Sequence, residues 1–144
     1  MNPEAIFLPM LATMTLTAIV WFYMYARRIP AMRRARVSVQ TYTTPDKVAK
    51  HLSEEVNYSA NNLKNLFEVP ILFYGLCLYL FVSGNVDTAY VVAAWCFFLF
   101  RALHSIVHCT RNIVMLRFYL YAGSALALWF ILGRALIAEL AVYI

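Results

Sequence analysis

The chain has 144 residues, of which 63% are hydrophobic and only 13% charged, and it carries a net charge of +5. A water-soluble domain of this size must cover a large surface with polar groups, so this balance excludes one and indicates a membrane protein. The positive charge crowds beside an apolar helix, which reads as a topology and lipid-headgroup signal; no nucleic-acid partner is expected.

A membrane-spanning helix needs about 20 apolar residues to cross about 30 Å of hydrocarbon. The first such window is residues 4–26. Arg27 and Arg28 follow it rather than precede it, and it has no small-residue cleavage site, so it is expected to be a retained helix and not a signal peptide. Pro30 and the run Arg33, Arg34, Arg36 are expected to end it and open a basic loop over 27–56. Within that loop Thr44 and Pro45 form a start signal for a new helix, with Thr44 as the cap and Pro45 in first position. His51 lies in this amphipathic connector and is expected to be solvated.

The second window is 62–83. At about 100° per residue, Asn57, Asn61, Asn65 and Glu68 fall within about 80° of one another, with Lys64 flanking them. Pro70 lacks an N–H and frees the carbonyl of Leu66, so a kink is expected beside Glu68. The connection Gly84-Asn85-Val86-Asp87 is short and lacks Lys and Arg. It makes the third window, 87–109, an antiparallel neighbour of the second.

In the third window Arg101, His104, His108 and Arg111 again fall within about 80°. Ionisable groups in a membrane must find partners and commonly mark a function. At 1.5 Å per residue, Glu68 and Arg101 lie about 22 and about 20 Å from the same outer boundary, so they are expected at one level and paired. His104 and His108, four residues apart, have metal-ligand spacing, but no further ligands are suitably spaced and nearby arginines oppose a cation; no metal is expected. Cys77, Cys96 and Cys109 show no pairing pattern and read as small apolar residues.

The fourth window is 112–134; Arg117 begins it and could reach the same polar zone, and Gly123 and Ala127 allow close helix approach. The fold class is therefore an all-α integral membrane protein, an antiparallel bundle of four transmembrane helices in one domain over 1–144. The basic residues place the first and third loops in the cytoplasm and both termini outside. An excess of cations in one cytoplasmic pocket suits an anionic ligand.

The run Asn65-Leu66-Phe67-Glu68-Val69-Pro70 resembles the N-x-x-E-x-x-P-type signature of the MAPEG family, the membrane-associated proteins of eicosanoid and glutathione metabolism, with the proline here two residues after the glutamate, closer than in the mammalian enzymes. The spacing of Arg101, His104, His108 and Arg117 is similar to that of microsomal glutathione transferase and microsomal prostaglandin E synthase, and the wording 101–110 resembles a bacterial branch. The resemblance implies a homotrimer in membrane lipid, with glutathione or a related low-molecular-weight thiol bound between subunits and a lipophilic substrate arriving through the membrane. It implies that Asn65, Glu68, Arg101 and His104 contact glutathione, with Lys64 as an added cation, and that Arg27 or Arg28 meets a carboxylate. Arg117 would stabilise the thiolate, the reactive form of the sulfur. Where glutathione-using members place a tyrosine this chain has His108, which could donate to the thiolate, and where they place an arginine it has Asn61. The expected function is a transferase or peroxidase acting on lipophilic electrophiles or lipid hydroperoxides; the alternatives are a non-catalytic lipid-binding scaffold of the same fold and a small transporter. The bacterial inner membrane is the expected location.

Overall fold

The computed structural model describes residues 2–141; Met1 and 142–144, the ends of the expected domain, lie outside the described residues. After a 3-10 turn at Pro3–Ile6 come α1 (Phe7–Ala35), α2 (Pro45–His51), α3 (Glu54–Leu66), α4 (Val69–Val82), α5 (Thr88–Cys109) and α6 (Val114–Leu140). Four stretches are long and apolar enough to cross a membrane: Pro3–Ala35, Glu54–Val82, Thr88–Cys109 and Val114–Leu140. The protein is thus an all-helical, multi-pass membrane protein.

Local chemistry sets most of the boundaries. The Thr44 side chain accepts from the Lys47 N–H and Pro45 opens α2. Asp87 Oδ1 accepts from the Tyr90 N–H at 3.1 Å and starts α5. Gly84 adopts a left-handed φ of 70°, which lets the chain reverse between α4 and α5.

Three expectations about the helices need correction. Pro30 does not end α1, which continues to Ala35 and stops where Arg36 turns left-handed at φ 53°. A proline removes one hydrogen bond and one carbonyl partner, and here its surroundings are exposed, so the freed carbonyl can be solvated. The segment 27–56 is consequently not one loop but largely helical. The second span is not a kinked continuous helix: it breaks completely at Phe67 and Glu68, starts earlier at Glu54, and restarts with Pro70 in the first turn of α4. The fourth helix runs past 134 to Leu140, and Arg134 within it is paired with Asp87, with Nη1 to Oδ1 at 2.8 Å.

The apolar core occupies the half of the bundle nearest the α4–α5 turn. Ile6 and Met10, then Phe73, Cys77 and Leu80, then Tyr90, Ala94 and Phe97 pack with Leu128, Ile131 and Ala135. Phe73 of α4 stacks on Phe97 of α5 with ring centroids 4.2 Å apart. Close approach of α5 and α6 is enabled at Gly123, where an added Cβ would come within 3.0 Å of the Phe100 ring. The other half is polar, and there the helices leave room for a cavity.

Candidate functional site

The cavity has a volume of about 490 Å³, within the range of small-molecule sites. From α3 it receives Asn61, Lys64 and Asn65, and from the break it receives Glu68. His104 and His108 of α5 form one wall; Arg117, Phe118 and Tyr121 of α6 form another. Residues distant in sequence thus meet because α3, α5 and α6 each present one polar stripe to the same space.

Arg117 is the best-held group in it. Its Nη1 donates to His108 Nε2 at 3.1 Å and to Asn112 Oδ1 at 2.5 Å. A guanidinium only donates, so His108 Nε2 must be an acceptor, and the ring is neutral with its proton on Nδ1. Asn112 is placed by the α5–α6 turn: it has a left-handed φ of 50°, and its N–H donates to the Val107 carbonyl at 2.8 Å. Asparagine tolerates that conformation better than most residues.

His104 is fixed differently. Its Nδ1 donates to the Arg117 backbone carbonyl at 2.8 Å, which ties α5 to α6. Its Nε2 and the Nδ1 of His108 are buried without hydrogen-bond partners among the described residues. The two rings meet edge to face at 5.4 Å, and His104 packs at 5.8 Å from Tyr121.

Arg101 is fully buried and does not line the cavity. Its Nη1 donates to the Asn65 carbonyl at 3.5 Å, and its guanidinium carbon lies 4.6 Å from the Tyr121 ring centre and 5.5 Å from that of Phe97. The quadrupoles of these rings partly offset the burial of its charge. The expected ion pair with Glu68 is absent: the ion pair among the described residues is Asp87–Arg134. The physical reason is the break at 67–68, where φ −96° and ψ −93° take Glu68 off the helical stripe and leave its side chain exposed in the cavity.

Arg27 and Arg28 do not reach this cavity within the chain. Arg27 is exposed on the outer face of α1, at 6.0 Å from the Tyr23 ring centre. Arg28 turns inward to a second space between α1, α2 and α3, where Asn57 also points. Arg111 is exposed in the α5–α6 turn, because α5 ends at Cys109 and the face expected from helical spacing does not continue. Among the described residues no three His, Cys, Asp or Glu side chains come together.

Sequence reasoning missed Asn112, Tyr121 and Asn62. Asn62 is buried and links α3 to α5, donating to Cys109 Sγ at 3.5 Å and accepting from Ser105 Oγ at 3.5 Å. Its position beside, not on, the stripe of Asn57, Asn61 and Asn65 was the available signal.

Compared with known families, residues 6–137 match the family model described as MAPEG family. No curated protein and no solved structure matches the chain.

Proposed function

Since the chain belongs to the MAPEG family, we propose that it is a membrane-bound enzyme that uses glutathione, or a related thiol, against lipophilic electrophiles or lipid hydroperoxides. The observation that carries this reading is Arg117, whose guanidinium faces the cavity on a fixed mount of His108 and Asn112. When bound, the thiol supplies a nucleophilic sulfur, and only its thiolate is reactive.

The cavity fits such a ligand by charge. With His108 neutral, its wall offers the cations Lys64 and Arg117 and the carboxylate Glu68. Glutathione carries two carboxylates, one ammonium and a sulfur that must become negative. Lys64 suits a carboxylate, Glu68 suits the ammonium, and Asn61 and Asn65 add amide groups. Arg117 suits the sulfur, because a guanidinium favours the charged form of a thiol beside it. His108 then orients Arg117 through its Nε2 lone pair, which leaves its Nδ1–H uncommitted. Arg101 braces the wall from behind, while His104 is part of the wall and keeps its Nε2 uncommitted. Phe118, Tyr121 and Val114 provide the apolar side toward which a lipophilic substrate would approach from the membrane.

In the homotrimer that this reading includes, the outward Arg27 is the α1 cation available to a partner's cavity. The test is equilibrium binding of glutathione to the detergent-purified protein, following thiolate absorbance in wild type and Arg117→Ala. Binding with an Arg117-dependent thiolate signal is expected. A signal that survives Arg117→Ala at full strength would remove Arg117 from the role, and absence of binding at millimolar thiol would turn the reading to lipid ligands.

A further inference from the structure

The second cavity lies between α1, α2 and α3, has a volume of about 250 Å³, and is lined in part by Arg28, Asp46, Asn57, Asn61 and Lys64. It sits where the apolar part of α1 gives way to arginines, with Arg33, Arg34 and Arg36 exposed farther along the same end. Such a position is where a helix meets lipid headgroups.

The Arg28 guanidinium is directed here. Its Nη2 donates to Asn57 Oδ1 at 3.4 Å, while its Nε is buried with no hydrogen-bond partner among the described residues. Asn57 is itself committed: its Nδ2 donates to the Ala49 carbonyl at 3.0 Å and to the Ser53 carbonyl at 3.3 Å, holding α2 against α3. Asn57 therefore orients Arg28 and has no donor left for a ligand. The groups that remain are the Nε–H of Arg28, the ammonium of Lys64 and the amide of Asn61, with Asp46 as the one carboxylate in the wall. Asp46 forms no ion pair with either cation, since the pair among the described residues is Asp87–Arg134. Two cations and one carboxylate leave a single positive charge.

We infer that this cavity binds the phosphate of a phosphodiester, carried by a glycerophospholipid headgroup or by a soluble glycerophosphodiester. A planar guanidinium with a free N–H matches phosphate oxygens, and a lysine adds a point charge. A diester phosphate set between Arg28 and Lys64 leaves Asp46 free to meet a cation carried beside the phosphate, whereas a dianionic monoester brings excess negative charge against Asp46. Asp46 also suits an ammonium next to the phosphate, which makes phosphoethanolamine the best-matched headgroup. Met24 and Ala60 leave an apolar flank where the glycerol end of a lipid can lie. The site shares Asn61 and Lys64 with the larger cavity, so Arg28 is the cation that belongs to it alone, and the test is run without thiol so that no second ligand competes for Lys64.

The test is thermal unfolding of the full-length protein in detergent with three additives: phosphatidylethanolamine in mixed micelles, soluble glycerophosphoethanolamine, and diacylglycerol in mixed micelles. Wild type is compared with Arg28→Gln and Arg28→Lys. Phosphatidylethanolamine is expected to raise the unfolding midpoint and diacylglycerol to leave it unchanged. The shift should vanish in Arg28→Gln, and Arg28→Lys, which keeps the charge but loses the N–H at Nε, should need about tenfold more additive. Equal potency of the soluble diester would identify the free compound as the ligand; potency of the lipid alone would identify the headgroup. No shift with either phosphodiester, an equal shift with diacylglycerol, or shifts unchanged by the substitutions would overturn the site. If Arg28→Gln fails to fold, Arg28→Lys decides the matter by itself.

Discussion

Arg117 depends on two neighbours that do different work. His108 offers a nitrogen lone pair, whereas Asn112 offers a carbonyl oxygen and also holds the turn. The two contributions of Asn112 can be separated. Asn112→Gly keeps the left-handed φ and removes the acceptor; a lost hydrogen bond of about 0.5–1.5 kcal/mol should weaken the thiolate signal about two- to tenfold with little change in unfolding temperature. Asn112→Ala adds the left-handed penalty of about 1–2 kcal/mol, so its unfolding temperature should fall as well. Identical behaviour of the two variants would mean that the turn, not the acceptor, is what matters. At this scale the sequence was informative where helical spacing applies. Asn61, Asn65, Glu68, His104 and His108 could be grouped by angle, with Lys64 flanking them and Arg117 placed by its position at the start of the fourth helix, and they line one cavity, whereas Asn57, Arg101 and Arg111 of the same stripes do not. Asn112 could not be found that way, because a turn residue has no helical phase. The direction of His108 was also unreadable, since either ring nitrogen of a histidine can face a neighbour.

The break at Phe67–Glu68 is the element-scale feature on which the depth argument for a Glu68–Arg101 pair failed. Pro70 announced a disturbance, but a kink and a full interruption have the same sequence signature, and only the interruption moves Glu68 away from Arg101. The close α5–α6 crossing was legible in Gly123, and its tolerance is measurable. The Phe100 ring that a Cβ would meet is itself 37% exposed and has room to swing aside. Gly123→Ala should therefore be nearly neutral, while Gly123→Leu should overpack the crossing and cost about 1–3 kcal/mol in thermal or chemical unfolding. At the opposite end of α5, the Arg134 guanidinium and then the Tyr90 N–H hold the Asp87 carboxyl down at about 2, against an ordinary 3.8. A depressed carboxylate stabilises the fold above its unfolded-state value, so this contribution is complete above about pH 4 and is lost as pH falls toward 2. Both partners are more than a third exposed, so screening keeps the effect small. Asp87→Asn should flatten that part of the pH–stability curve, and a curve unchanged by the substitution would assign the acid sensitivity elsewhere.

At the scale of the whole molecule, composition and four apolar windows were enough to read an all-helical membrane bundle, because hydrocarbon allows few other solutions. The assembly is less directly written in one chain. Leu126, Trp129, Phe130, Leu136 and Ile137 of α6 face outward, as do Leu8, Leu11, Ile19 and Phe22 of α1. Such faces serve lipid and neighbouring copies equally well. Light scattering of the detergent-purified protein is expected to give a trimer, and Arg27→Glu should weaken thiol binding in it without dissolving it. A monomer that binds the thiol fully would make Arg27 irrelevant and confine the site to one chain.

The separation of a dry apolar half from a polar, cavity-bearing half has a consequence for motion. Around the core cluster, opening a helix exposes tightly packed rings such as Phe73 and Phe97. Around the cavity, α2 and α3 bury smaller apolar side chains, among them Val48, Val56 and Ala60, and lean also on side-chain hydrogen bonds such as those of Asn57. Regions with few buried apolar contacts open locally at a small fraction of the global unfolding free energy. Amide hydrogens of 45–66 should therefore exchange with solvent deuterium well before those of 90–100, so that this end of the bundle breathes and admits ligand while the other end keeps the protein folded.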